Sequence, residues 1–158
     1  MSSELKKGKK KEDATPEALL EHLKKAMSSD DSSDDFLDLF ENLSHLILRV
    51  INKSDADVAT KIQATLYMGQ LSGRFYVLWN AYMVDQQYDT EYKQELRDEM
   101  EDVLKKLIEV YAYLKKGGSL KNAIHMISET EQLATDEIEE YMYHLGRMLE
   151  DLSPEPYY

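Results

Sequence analysis

The residues best equipped for chemistry in this 158-residue chain are its carboxylates, and five of them crowd one segment: Glu95, Asp98, Glu99, Glu101 and Asp102. Carboxylates can hold magnesium, but only where several oxygens converge on the ion. Glu95 with Glu99, and Asp98 with Asp102, are four residues apart and so neighbours on one helical face, where like charges repel. That face lies away from the apolar heptad of the same segment, so the cluster is expected to be solvated. Histidine offers little more. His22, His45, His125 and His144 form no H-x-x-x-H or E-x-x-H pair that would aim two ligands from one helix, and Glu140 with His144 is a commonplace i,i+4 pair. Cysteine is absent, which removes disulfides, thiol nucleophiles and cysteine-ligated metal centres. Neither a metal nor another cofactor is expected.

The run Asp98-Glu99-Met100-Glu101-Asp102-Val103-Leu104 resembles a segment of the helical NTP pyrophosphatases. The resemblance implies a magnesium-dependent phosphohydrolase using Glu95, Asp98, Glu99 and Asp102. Such a site also needs an inward-facing acidic motif on an earlier helix, where this chain offers only Asp38 and Glu41 without paired-Glu spacing. The expectation is therefore a protein that is not an enzyme, with the phosphohydrolase as an alternative.

Charge is unevenly laid out. Lys6, Lys7, Lys9, Lys10 and Lys11 against Glu4 give the first eleven residues +4, so a net charge of −12 leaves −16 on the remainder. An acidic body repels phosphate backbones and anionic lipids. Nucleic acid is then expected to bind only weakly, through the five lysines, and this is a second functional alternative. The arm has no interleaved aromatics on which bases would stack. No run of about 18 apolar residues exists to cross a membrane. The first thirteen residues lack the apolar core of a secretory signal. With no cysteine either, cytoplasmic residence is the expectation.

The elements that must position these groups are all helical. Residues 1–14 read as a flexible basic arm, 15–153 as one helical domain and 154–158 as a short tail. Thr15-Pro16 opens a first helix, with Thr15 as N-cap and Pro16 at the first helical position. It runs to about Met27. Ser28 to Asp35 is a polar hinge, followed by a helix from about Asp34 to Asn52 with Phe36, Phe40, Leu43, Ile47 and Val50 at 4-3-4-3 spacing. Ser54 and Asp57 resemble a capping box for a long third helix reaching about Gln87. That helix is apolar all round: Val58, Ile62, Leu66, Gly69 and Gly73 form one stripe, and Leu71, Phe75, Leu78 and Tyr82 another. It is expected to be the central element, enclosed by neighbours, with the Gly69-x-x-x-Gly73 pair serving close packing inside the bundle.

Asp89 or Thr90 caps a fourth helix with the clearest heptad: Leu96, Met100, Val103, Leu107, Val110 and Leu114. Gly117-Gly118 ends it. Ser119 caps a short fifth helix and Thr135 a sixth, which Pro154 and Pro156 stop. The pair formed by these last two has the outline of a helix-turn-helix. However, residues from Glu131 to Glu155 hold eight acids against the single base Arg147, which opposes DNA reading. The fold class is all-α: a compact bundle of about five to six helices.

The chain has eleven tyrosines, and i,i+2 pairs such as Tyr111/Tyr113 and Tyr141/Tyr143 point apart, so part of the set must be exposed. Tyr113, Tyr143, Tyr157 and Tyr158 are the candidate partner surface. Size and all-α character are similar to those of small helical subunits of large intracellular complexes, CRISPR effector small subunits among them, although their basic groove is missing here. The expected function is a non-enzymatic protein–protein interaction module: an adaptor, accessory subunit or inhibitor in a larger complex, such as a nucleic-acid-processing one. Its partner is expected to be a protein with a basic surface, or a second copy of the chain.

Overall fold

The computed structural model describes residues 14–28, 33–88 and 92–152. Five helices and no strand are present among them: α1 Pro16–Ser28, α2 Ser33–Lys53, α3 Val58–Tyr88, α4 Tyr92–Lys115 and α5 Leu120–Leu152. The lysine arm, half of the polar hinge, Asp89, Thr90 and the tail with Tyr157 and Tyr158 lie outside the described residues.

Local signals set most helix ends. The Ala18 amide donates to Thr15 Oγ1 (3.1 Å), the N-cap bond that satisfies a free amide of the first turn. At the α4 terminus Gly117 adopts φ 89°. The Gly118 amide reaches the Tyr113 carbonyl and the Gly117 amide the Leu114 carbonyl, the paired bonds of a Schellman end. Ser119 Oγ then accepts from the Asn122 amide (3.2 Å) and starts α5.

Two expected boundaries are corrected. Asp57 rather than Ser54 caps α3: its Oδ1 accepts from the Thr60 amide (2.9 Å), while Ser54 Oγ only closes a local turn onto Ala56. Thr135 caps nothing. It lies inside α5, which is one continuous helix of 33 residues. Nothing between Ile127 and Thr135 breaks a helix, since there is neither Gly nor Pro. The hydroxyls that suggested a cap are used within the helix: Thr130 donates to the Met126 carbonyl (2.8 Å) and Thr135 to Glu131 Oε2 (2.6 Å). The helix-turn-helix outline disappears with the break.

The core follows the apolar stripes. All six heptad residues of α4 are buried, together with Leu104, Ile108 and Tyr111. This is why α4 sits at the centre, packed against each of the other four helices. Phe40 of α2 stacks on Phe75 of α3 at 4.1 Å between centroids, and Phe36 meets Tyr82 edge-on at 6.3 Å. Each such ring contributes about 1.5–3 kcal/mol by leaving water. α1 is held by Leu19, Leu23 and Ala26, and by the buried Arg97 of α4. The Arg97 guanidinium donates to the Ala26 and Met27 carbonyls (3.2 and 2.7 Å) and to the Tyr82 hydroxyl (3.1 Å). One cation thereby satisfies the open carbonyls at the α1 C-terminus, where positive charge is favoured.

Candidate interaction surface

α3 is not enclosed. It packs on α2, α4 and α5 with Ala64, Met68, Leu71, Phe75, Leu78 and Tyr82, all buried. The opposite side faces out, so the expectation of a fully surrounded helix is corrected. At 100° per residue, Val58, Ile62, Leu66, Gly69, Gly73, Val77 and Val84 fall on that side as one stripe. Val58 is 71% exposed, Leu66 63% and Ile62 55%. A Cβ placed on Gly69 or Gly73 meets nothing within 4 Å, so these glycines serve no packing inside the bundle. Each costs about 1 kcal/mol relative to Ala in a helix interior without an internal return.

Polar contacts border the stripe on both sides. Tyr76 donates to Glu41 Oε2 of α2 (2.6 Å), and the neighbouring carboxylate pushes the phenol pKa up. Arg74 reaches across to α5, bonding Thr135 Oγ1 (3.1 Å) and Glu131 Oε2 (3.5 Å). The charged residues of α3 are only Lys61, Arg74 and Asp85. Lys61 donates to the Asn52 carbonyl (3.1 Å) and Asp85 is buried, so the stripe itself carries no charge.

The acid cluster is partly as expected. Glu95, Asp98 and Asp102 are exposed, but Glu99 is not simply solvated. It turns toward α5, where Glu137 lies in the inward line between Ala134 and Tyr141. Glu99 Oε2 is buried without a hydrogen-bond partner. Burial first, then the charges of Glu137, Asp102 and Asp136, lift the Glu99 carboxyl to about 7. Burial, then Glu140 and Glu95, lift Glu137 to about 7 as well. Among the described residues no group of three or more His, Asp or Glu has the geometry to hold a metal ion. The pair also lies away from an open cavity of about 740 Å³ near the α2–α3 loop and the Gly117-Gly118 turn, lined by Val50, Asp55, Asp57, Leu114 and Lys121 among others. Two carboxyls raised in this way make stability depend on pH.

Tyr113 and Tyr143 are not brought together. Tyr113 is half-buried; its hydroxyl accepts from Asn122 Nδ2 (3.0 Å) and its ring covers Gly118. Tyr143 is 68% exposed, with Arg147 over its ring. It lies 21 residues beyond Asn122 on α5, about 30 Å at 1.5 Å per residue. Tyr141, two residues before it, is buried against Tyr92 and Asp85, and its hydroxyl is pushed up to about 12 by burial and then by Asp85.

The α3 stripe was legible as an apolar pattern; its exposure was not. Comparison with protein-family models, with curated proteins and with solved structures finds no match for this chain. Among the described residues no helix is long and apolar enough to cross a membrane.

Proposed function

We propose that this chain is a non-enzymatic protein-interaction module, cytoplasmic in residence, that docks through the outward face of α3. The observation that carries this reading is an uncharged, largely apolar stripe, interrupted by the exposed Asn80, on the surface of a protein with net charge −12. From Val58 to Val84 it spans 27 residues, about 40 Å at 1.5 Å per residue, and at a helix width of about 10 Å its footprint is roughly 400 Å². Scattered apolar residues need no explanation, whereas a stripe of this size matches the largest apolar patch of a typical monomer, and such patches often serve contact. Tyr76 and Met83 flank it and supply the aromatic and sulfur character that interfaces favour.

The test is affinity capture with the wild-type chain and with Leu66→Glu and Val77→Glu, both outward positions that leave the core untouched. The expected result is that the variants fold as the wild type does, by circular dichroism, and lose what the wild type binds. Identical binding by wild type and both variants would refute the reading.

A further inference from the structure

The bases of this acidic chain gather at one end of the bundle. Lys53 ends α2, Lys115 ends α4 and Lys121 lies in the first turn of α5. All three line the open cavity of about 740 Å³ between the α2–α3 loop and the Gly117-Gly118 turn. Lys116 follows on that turn, and Lys61 donates to the Asn52 carbonyl at the end of α2 (3.1 Å). Against these five lysines stand Asp55 and Asp57, a local +3 in a protein of net charge −12. Asp57 is turned to the Thr60 amide (2.9 Å).

The dense acid segments lie elsewhere. On α4 the nearest carboxylate is Glu109, about 9 Å before Lys115, and the Glu95–Asp102 cluster begins about 20 Å before it. On α5 the first is Glu129, about 12 Å beyond Lys121, and α3 carries none until Asp85. At a Debye length of about 8 Å in physiological salt, the charge of the distant segments is largely screened at the cavity.

The N-terminal lysines belong to the same end. Tyr111 donates to the Ala14 carbonyl (3.0 Å), which fixes the start of α1 against the last turns of α4. Lys115 Nζ lies 5.9 Å from the centre of that same ring. The chain before Ala14 therefore starts beside a lysine of the cavity wall. At about 3.5 Å per residue, Lys11 stands within about 10 Å of Ala14 and Lys6 within about 28 Å. Glu12 and Asp13 intervene, so residues 1–13 carry +2.

The cavity wall selects its ligand by chemistry. Leu114 and Leu120 are buried at its base, while Lys53, Lys115 and Lys121 are exposed at its rim. A ligand with anionic groups at intervals and flat rings between them meets both. A single nucleic-acid strand is such a ligand: its phosphates suit ammonium point charges, and its unpaired bases are free to leave the stack. A duplex keeps its bases inside. An anionic bilayer is a broad plane that would press Glu17, Asp55 and Glu109 against its headgroups as well.

We propose that this end of the bundle binds single-stranded nucleic acid without reading its sequence, with phosphates on Lys53, Lys115 and Lys121, a base over Leu114 and Leu120, and further phosphates on Lys6 to Lys11. The site is separate from the α3 stripe and does not rest on the docking role proposed for it.

Fluorescence anisotropy of a labelled oligouridylate of about 20 nucleotides, longer than one site, tests this with the full chain. With about three phosphates on the cavity lysines and about two on the arm, the log–log slope of affinity against salt should be about −3.5. The expected Kd is about 100 μM at about 0.15 M salt and about 2 μM at about 0.05 M. Lys115→Glu/Lys121→Glu should weaken binding at least about 10-fold at the lower salt and flatten the slope to about −2. Removing residues 1–11 should weaken it about 10-fold and leave a slope of about −2, the share of the cavity lysines. Lys24→Glu/Lys25→Glu makes the same change of charge at the far end of α1 and should move Kd less than about 3-fold. All variants should keep the circular dichroism of the wild type.

An affinity that Lys115→Glu/Lys121→Glu leaves unchanged overturns the proposal, since the arm alone would then hold the strand. So does absence of binding up to about 100 μM protein at about 0.05 M salt. Phosphatidylserine vesicles or polyglutamate held as tightly as the oligomer would also overturn it, the first in favour of a membrane surface and the second of an acidic protein.

Discussion

Neutralising Glu99 should stabilise this protein at high pH and leave it unchanged in acid. The carboxyl rises from an ordinary value of 4.5 to about 7 on folding, as does that of Glu137. At about 1.36 kcal/mol per pKa unit, a rise from 4.5 to about 7 sets an upper bound of about 3.4 kcal/mol per group. Both side chains are partly open to water, so screening reduces this to about 1 kcal/mol each. A raised carboxyl binds its proton more tightly in the folded state. Below about pH 4.5 both states are protonated and no penalty exists; between about pH 4.5 and 7 the unfolded chain ionises first and stability falls; above about pH 7 the penalty is constant.

Glu99→Gln removes that penalty. Urea or thermal unfolding should show a gain of about 1 kcal/mol at about pH 8, a melting temperature about 2–4 °C higher, and no gain at about pH 4. Glu109→Gln removes the same charge from an exposed site on α4 and controls for the general acidity of the chain. Because Glu137 helps to raise Glu99, the Glu99→Gln/Glu137→Gln double variant should gain less than the sum of the two single ones. Loss of stability in Glu99→Gln at high pH, or a gain no larger than that of Glu109→Gln, would refute the reasoning.

Arg97→Met should cost about 2–4 kcal/mol in chemical denaturation, because it strips the Ala26 and Met27 carbonyls of their donor; hydrogen exchange should quicken first in α1. Asp136→Pro distinguishes a continuous α5 from a helix that starts at Thr135. Proline is tolerated at a first helical position but should cost about 3 kcal/mol or more here, and unchanged thermal stability would restore the break. Gly118→Ala places a methyl group against the Tyr113 ring and should destabilise by about 1–3 kcal/mol, an effect that Gly118→Ala/Tyr113→Ala should partly relieve in the same unfolding assay.

The helices and most of their ends were readable because their causes are local. Thr15, Ser119 and the Gly117-Gly118 pair act within a few residues, and the α4 heptad announces a seam that is buried in full. Thr135 misled for the same reason: a Thr followed by acids has the composition of a cap, but its hydroxyl found Glu131 and Arg74 instead, and Arg74 is 61 residues away. Arg97 gave no signal at all. In the sequence it is one base among the acids of α4, and only the docking of α1 across it makes it a buried donor.

The sequence by itself determined an all-α chain, the seam on α4 and an α3 with apolar residues on every side. Tertiary structure alone decided which side of α3 is covered. Periodicity reports how much apolar surface a helix carries; how much of it is buried depends on how many neighbours exist to cover it. When the short helix and the longer one expected at the C-terminus became the single α5, three helices were left to pack on α3, and its Gly69–Gly73 stripe faced outward. The same assembly turned Glu99 from an exposed acid into half of a proton-binding pair, because the Glu137 that raises it comes from a different helix.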